Sequence, residues 1–312
     1  MPNAIPLLEG TDASGGYIVR DTYGSTLQNT IQRESAVMQL SRVDRVAGKR
    51  QRYTIYAGRP TAAFVAEGAA KPVTGAEFSE LVVNVKKIAT TVLYTEEILE
   101  DAVTDPGVFV SPDVEAAFSD LIDAHALGYQ AGSSISTSFD DSLRQTTQAA
   151  TEYDQSKADG LPLVISEAIA KIEANGGTPN GVILNPDARR VLRDARQSGS
   201  GLGAATALFS DGFNREPDSI YSLRLSYSTN LPTVLGNAAA NRVIGIVGDF
   251  THSLFVMRRD ITVRSTQQAT VDVSGTLHHL WQQNKTAVLW EQRLGYAIHD
   301  RDRMFCKIVN AS

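Results

Sequence analysis

Between two stretches that read as β-strands, "RYTIYAGRPTAAFV" and "SELVVNVKKIATTVLY", the chain carries "AEGAAKPVTGAEF", from Ala66 to Phe78. Gly68, Pro72 and Gly75 are turn residues, so the segment marks the end of a hairpin running roughly from Arg50 to Tyr94. Two strands alone bury too little apolar surface to offset the entropy of ordering them. A hairpin this long needs something outside itself to lie against. Its tip also presents Lys71 immediately before Pro72.

The rest of the composition is ordinary. A chain of 312 residues, 42% hydrophobic and 21% charged, is long enough for one large or two modest domains with a substantial core. No apolar run approaches a membrane span, and the opening "MPNAIPLLEGTDASGGYIV" lacks the basic start and apolar core of a signal peptide. The single cysteine, Cys306, cannot pair within the chain and reads as a small buried residue near a terminal strand. Net charge is −6 with both signs interspersed, which argues against a tight grip on nucleic acid. It does not argue against lying close to packaged DNA.

The first fifty residues read as an arm. Gly10, Gly15 and Gly16 interrupt its start, and "DTYGSTLQNTIQRESAVMQLSRVDRV" then offers a short amphipathic helix with Leu27, Ile31 and Met38 near one face. Val43 starts a strand. After the hairpin, Thr95 caps a short acidic helix whose Glu96 and Glu97 suit its first turn. The longest helix is expected from Ser111 as N-cap with Pro112 at the first helical position, ending near Gln130. Val114, Phe118, Leu121, Ile122 and His125 recur at helical spacing, with Asp120 and Asp123 left toward water. The segment "GSSISTSFDDSLRQTTQAATEYDQSKADG" reads as a polar loop dividing the molecule. Beyond it, elements alternate: a helix from Ser166 stopped by Gly176 and Gly177, the strand "GVILN", and a helix started by Asn185–Pro186–Asp187. The strands "RVIGIVGDF", "SLFVM", "ITVRST" and "KTAVLWEQRLGYAI" close the chain.

Catalytic and cofactor motifs are missing. "GSGLG", Gly199 to Gly203, follows a helix and lacks the Lys-Ser/Thr pair of a phosphate loop. His278 and His279 are adjacent, so on a strand they face opposite ways and cannot chelate together. No Gly-x-Ser-x-Gly elbow occurs. Glu96, Glu97, Glu100 and Asp101 read as a solvated helix face. No turnover enzyme, cofactor or metal site is proposed.

Taken in order, these pieces resemble the Hong Kong 97-type major capsid protein of tailed bacteriophages over nearly the whole chain. "GGYIV" resembles the start of the family's N-terminal arm, and "FVAEGAAKP" with "FSELVVNVKKIATTVLYTEEILEDA" its extended loop and the short helix behind it. The helix from Ser111 resembles the spine helix, "NGVILNPDARRVLRD" the axial domain, and "VGDF" with "VLWEQRLGYAIHD" the closing strands. The resemblance implies an α+β fold with an arm over 1–49 and an extended hairpin over 50–94. A peripheral domain over 95–154 and 256–293 and an axial domain over 155–255 and 294–312 complete it.

The implied function is structural. In this family the extended loop lies across a neighbouring subunit, here through Glu67, Gly68, Lys71 and Pro72, and the subunits form hexamers and pentamers of an icosahedral shell around DNA. If Met1 is the native start, no room is left for the scaffolding extension that many relatives carry, and a separate scaffolding protein beside a portal is expected; an extension trimmed from a precursor is the alternative. The expected place is the virion, after assembly in the bacterial host cytoplasm. Contact with the DNA would carry no sequence specificity, and no membrane is involved.

Some relatives also join subunits by isopeptide bonds, and the matching residues here are Lys71, Asn284 and Glu291. The chemistry implied is attack of the lysine amine on the Asn284 carboxamide, with Glu291 as base in an apolar setting supplied by Leu289 and Trp290. Asn284 and Glu291 lie seven residues apart, which suits a site assembled from three chains better than one. Lys71 also reads as a plain ionic contact to a carboxylate. An encapsulin, the same fold enclosing an enzyme cargo, is the nearest alternative. A soluble α/β enzyme built on 160–255 is a more distant one that leaves the hairpin unexplained.

Overall fold

The computed structural model describes residues 35–58, 61–67, 69–75, 77–101, 106–128, 139–153, 160–194, 219–232, 242–273 and 275–310. The expected arm helix with Leu27 and Ile31, the "GGYIV" start, Gly68 and the "GSGLG" loop lie outside them.

Two sheets organise the chain. The first has the order β1-β10-β13-β4: β1 (Arg42–Arg45) lies parallel to β10 (Ser253–Thr266), which is antiparallel to β13 (Lys285–Ile298), itself antiparallel to β4 (Lys86–Thr95). The second sheet has six strands in the order β5-β14-β9-β6-β8-β7. These are β5 (Thr151–Tyr153), β14 (Phe305–Asn310), β9 (Val243–Gly248), β6 (Gly181–Leu184), β8 (Leu223–Tyr227) and β7 (Ser219–Ile220). Two separate pairs complete the strands: the hairpin β2 (Arg50–Gly58) with β3 (Glu77–Asn84), and β11 (Thr270–Val273) with β12 (Thr276–His279).

The helices are α1 (Glu96–Asp101), α2 (Pro106–Leu127), α3 (Gly160–Ala174), α4 (Ala188–Asp194) and the single turn α5 (Arg301–Met304). Local chemistry explains several starts. The Thr95 hydroxyl accepts the Ile98 N–H at 3.4 Å, capping α1 as its sequence suggests. Asn185 accepts the Asp187 N–H at 3.0 Å and starts α4. Helix α2 begins earlier than expected, so Pro112 stands inside it rather than at its start. Pro106 holds the first position instead, while Ser111 donates to Glu115 at 3.3 Å rather than capping. Pro112 brings no N–H, so the Val108 carbonyl loses its helical donor at that turn. The helix stops at Gly128, whose φ of 79° favours glycine; an added Cβ would also stand 3.0 Å from the Ser142 hydroxyl. Helix α3 likewise starts at Gly160 rather than Ser166, and Leu161, Ile165, Ala168 and Ile172 form its fully buried stripe.

Two cores result. Helix α3 packs Leu161, Ile165 and Ile172 with Val182, Leu184, Ile244 and Val247 of the six-stranded sheet, where Cys306 is fully buried as expected. Helix α2 packs Val114, Phe118, Ile122 and Leu127 with Phe255, Trp290, Leu294 and Tyr296 of the four-stranded sheet, and this core continues to Ile183, Ile246 and Phe305. Phe118 is buried; Leu121 is only half-buried.

Asp123 corrects a second expectation. It is 4% exposed, not facing water. The hairpin is also shorter than read: "KKIATTVLYT" belongs to β4, paired along its length with β13, so β2 and β3 end at Asn84. The polar segment after α2 is more than a divider. Its described part, 139–153, buries Phe139 and Leu143 and gives β5 to the six-stranded sheet. Among the described residues no helix is long and apolar enough to cross a membrane.

Candidate subunit-contact site

The hairpin divides into a held foot and an open tip. At the foot, Val83 and Val85 form a small core with Leu254, Val256 and Ala297 of the four-stranded sheet. Gly295 permits this approach: a Cβ there would sit 2.7 Å from the Asn84 carbonyl oxygen. Asn84 Nδ2 donates to Asp140 at 2.7 Å, and Lys86 pairs with the same carboxylate at 3.2 Å. Burial alone would raise the Asp140 pKa, but the Asn84 and Lys86 contacts outweigh it and hold the group below the usual carboxylate range. Asp141, next in sequence, is held by Arg301 and accepts the Ile298 N–H at 3.2 Å. Two neighbouring carboxylates thus tie the hairpin foot and the end of β13 to one loop.

The tip is different. Residues 61–67 and 69–75 are all exposed, with Phe64 at 110% and Val73 at 97%. Tyr56 and Phe78 meet edge to face at 5.4 Å on the paired strands, both still exposed. Glu67, Lys71 and Pro72 all lie on this open stretch.

The other two expected residues lie far from one another. Asn284 is exposed at a left-handed corner, φ 48°, just before β13, and its carbonyl accepts the Glu96 N–H at 2.8 Å. Glu291 sits midway along β13, opposite Ala89 and Thr262. Seven residues of strand place the two roughly 20 Å apart, so one subunit does not bring them together. Nor is the Glu291 setting apolar, as the sequence suggested. Arg293, two residues on and on the same face, binds its carboxylate at 2.8 Å, while Trp290 points into the core. The Arg293 hydrogen bond lowers the Glu291 pKa, against a smaller upward push from burial; the charges of Arg293, Lys87 and Arg264 lower it further. A carboxylate expected to be raised is instead held ionised in the isolated subunit.

Sequence reasoning missed one contact altogether. On α2, Asp123 accepts from the Ser35 hydroxyl at 2.6 Å, from the Ala36 N–H at 2.9 Å and from the Val37 N–H at 3.2 Å. Ser35 in turn accepts the Met38 N–H at 3.1 Å. The end of the arm is therefore capped by the long helix, and the available signal was a Ser followed by an unsatisfied turn. Burial raises the Asp123 pKa to about 6, although Ser35, Ala36 and Val37 all favour its ionised form. His125 packs edge to face with Phe139 at 6.2 Å. His278 and His279 make separate contacts, to Gln283 and to Thr270. Among the described residues no group of three His, Cys, Asp or Glu could hold a metal.

Comparison with known proteins agrees with this geometry. A model of the phage capsid family matches residues 15–308. A solved chain from Gordonia phage Cozz aligns with TM-score 0.70 at 18% identity, over 89% of this chain and 87% of that one. One from Microbacterium phage Oxtober96 aligns with TM-score 0.68 at 21% identity, over 88% and 91%. A chain from the capsid of a native GTA particle, computed with C5 symmetry, aligns with TM-score 0.64 at 14% identity, over 100% and 95%. No curated protein matches the sequence.

Proposed function

The chain belongs to the phage capsid family, with the Hong Kong 97-like fold of a structural capsid protein, and from that premise we propose how it builds a shell. Copies associate into hexamers and pentamers that tile an icosahedral shell around packaged double-stranded DNA, each hairpin lying across the next subunit. A separate scaffolding protein and a portal take part, assembly occurs in the host cytoplasm, and the mature protein resides in the virion.

One observation carries this reading: the hairpin tip, with Phe64 110% and Val73 97% exposed, has no core in its own subunit. Its foot is fixed by a small core and by Asp140, so the tip is held out rather than loosely attached. An element anchored at one end and open at the other suits an intermolecular partner, because burial of its apolar residues is then gained only on assembly.

Deleting 68–75 tests it. The variant stays folded, because both cores lie elsewhere, but forms no shells by negative-stain microscopy and light scattering. Normal particles from the deletion would end the reading.

Lys71, Asn284 and Glu291 form, in our reading, an isopeptide site assembled from three subunits. The Lys71 amine attacks the Asn284 carboxamide carbon, a C–N bond forms, and ammonia leaves; Glu291 carries the proton. For that role Glu291 has to exchange its bond to Arg293 for one to the incoming lysine. Boiled mature shells then run as ladders on a denaturing gel, and Lys71→Ala, Asn284→Ala and Glu291→Ala each restore one band near 33.6 kDa. A single band from the unaltered protein would leave Lys71 as an ionic contact.

A further inference from the structure

We propose that the stacked imidazoles of His252 and His299 form a proton-operated latch at the junction of the two sheets, closed when both rings are neutral and open when both are charged. The latch is a property of the single subunit and stands whether or not shells form.

The chain runs directly between the two sheets at two short crossings. Residues 249–252 lead from β9 of the six-stranded sheet into β10 of the four-stranded one, and residues 299–304 lead from β13 back into β14. The crossings lie side by side and are joined at both ends by backbone hydrogen bonds. At one end the Asp249 N–H donates to the Met304 carbonyl at 3.0 Å; at the other the His299 N–H donates to the His252 carbonyl at 2.8 Å. A pair of rings stands beside each bond. Phe250 and Phe305 meet edge to face at 5.3 Å, both fully buried. His252 and His299 stack at 5.3 Å with their planes 23° apart, both half-buried.

The two ring pairs answer differently to protons. Phenylalanine rings hold their end closed at any pH. Imidazole changes charge near neutrality, and two charged rings in stacking contact repel each other. One of those charges has a counter-ion in place and the other does not. Asp249 Oδ2 lies 3.8 Å from His252 Nε2, whereas Asp300, the carboxylate beside His299, is shared with Arg303 at 3.7 Å. The remaining charged groups around the junction are engaged elsewhere: Arg301 with Asp141 and Gln145, Asp302 with the Thr147 N–H at 2.7 Å, and, on β1, Arg42 with Asp44 at 3.0 Å. Ser253, directly after His252, meets the hydroxyls of Ser41 and Tyr296.

Burial works against the charged form of His299 and lowers its pKa; the Asp300 charge opposes this, and the His252 charge adds to it. The closed latch therefore resists the second proton, and the open one accepts it. Its contribution to stability is full above about pH 6.5, the ordinary histidine value, and is lost as pH falls through the lowered one. Opening does not separate the sheets, because Phe250 and Phe305 belong to the core that continues across them. It frees the histidine end to turn about the phenylalanine end. The Ile298 N–H, held by Asp141 at 3.2 Å, adjoins the moving end, so the loop that fixes the hairpin foot feels the change.

Amide hydrogen exchange on the unassembled subunit tests this, compared at about pH 7.5 and about pH 5.5 with intrinsic rates divided out. Protection of the His299 amide should fall about tenfold on acidification, the factor that one unit of pKa shift carries. Ile246 and Val247, on the interior strand β9, should keep theirs. His299→Gln and, separately, His252→Gln should abolish the pH dependence; should one of them not fold, the other reads the same bond. Asp123, with its pKa about 6, titrates in the same range, so Asp123→Asn is the control and should retain the dependence. A His299 amide equally protected at both pH values would overturn the proposal. So would the same acid loss in the glutamine variants, or a loss shared by Ile246 and Val247, which would be unfolding of the whole subunit.

Discussion

Strands of the six-stranded sheet and strands of the hairpin meet opposite fates. β6, "GVIL", and β9, "VIGIVG", are buried at every position. β3, "EFSELVVN", is exposed over its first four residues and buried only at Val83. β6 lies between β9 and β8, with α3 packed on the sheet, so its neighbours all come from the same chain. β3 has one neighbour, β2, and leaves the body of the molecule beyond its foot. Burial here follows both the composition of the strands and how many neighbours the topology supplies. One region is finished within the subunit, and the other is left open there.

The strongest way to break that contrast is to damage the finished part. Phe118 is 3% exposed where α2 meets the four-stranded sheet. Phe118→Ala should cost the unassembled subunit about 3–5 kcal/mol, the usual range for emptying an aromatic site in a core. Denaturant titration of the subunit measures it. An unchanged midpoint would mean that this core is no more self-sufficient than the hairpin.

A smaller effect is expected at Asp123, which belongs to the finished core yet holds the arm. Asp123→Asn keeps one acceptor oxygen but turns an NH2 group toward Ser35, Ala36 or Val37, all of which donate to the carboxylate now. Leaving a buried donor unmatched costs about 1–3 kcal/mol, and amide hydrogen exchange at Ala36 and Val37 should speed up. The pH dependence has a definite sign. With its pKa raised to about 6, the folded state keeps a proton between roughly pH 4 and 6 that the unfolded chain has released. This contribution to stability is therefore full below about pH 4 and lost as pH rises through 6. Asp140 and Asp302, whose pKa values are lowered, slope the other way, so the difference between the two proteins is the quantity to read. A difference that stays flat from pH 4 to 7 would show that Asp123 is not buried as described.

What was legible in the sequence was local. The Thr95 cap, the Asn185–Pro186–Asp187 start, Val43 as a strand residue and the existence of the hairpin all depend on residues a few positions apart. What was missed depends on distant partners. On a helical wheel Asp123 reads as a water-facing residue; its partner Ser35 is 88 residues away. Asp141 meets Arg301 across 160 residues, so its loop reads as filler. The hairpin reads as longer than it is because β-alternation continues through β4 unbroken, and only pairing with β13 marks the change of sheet. Of the crosslink residues, sequence located Lys71 on an open tip but misjudged the surroundings of Glu291, because Arg293 lies on its face and Trp290 on the other.

The smallest expected effect on the subunit is also the sharpest test of the comparison. Phe64 and Val73 are large apolar residues, and in the finished sheet replacing two such residues with serine would be severe. At the hairpin tip they touch water already, at 110% and 97% exposure. Phe64→Ser with Val73→Ser should therefore leave subunit stability within about 0.5 kcal/mol, the range of surface changes. Assembly should respond in the opposite way, because on the proposed reading the apolar area of these residues is buried only against another copy. Denaturant titration of the unassembled protein and shell yield at matched concentration read the two effects separately. Loss of subunit stability would show that the tip already has a partner in its own chain, and unaltered shell yield would show that it acquires none from another.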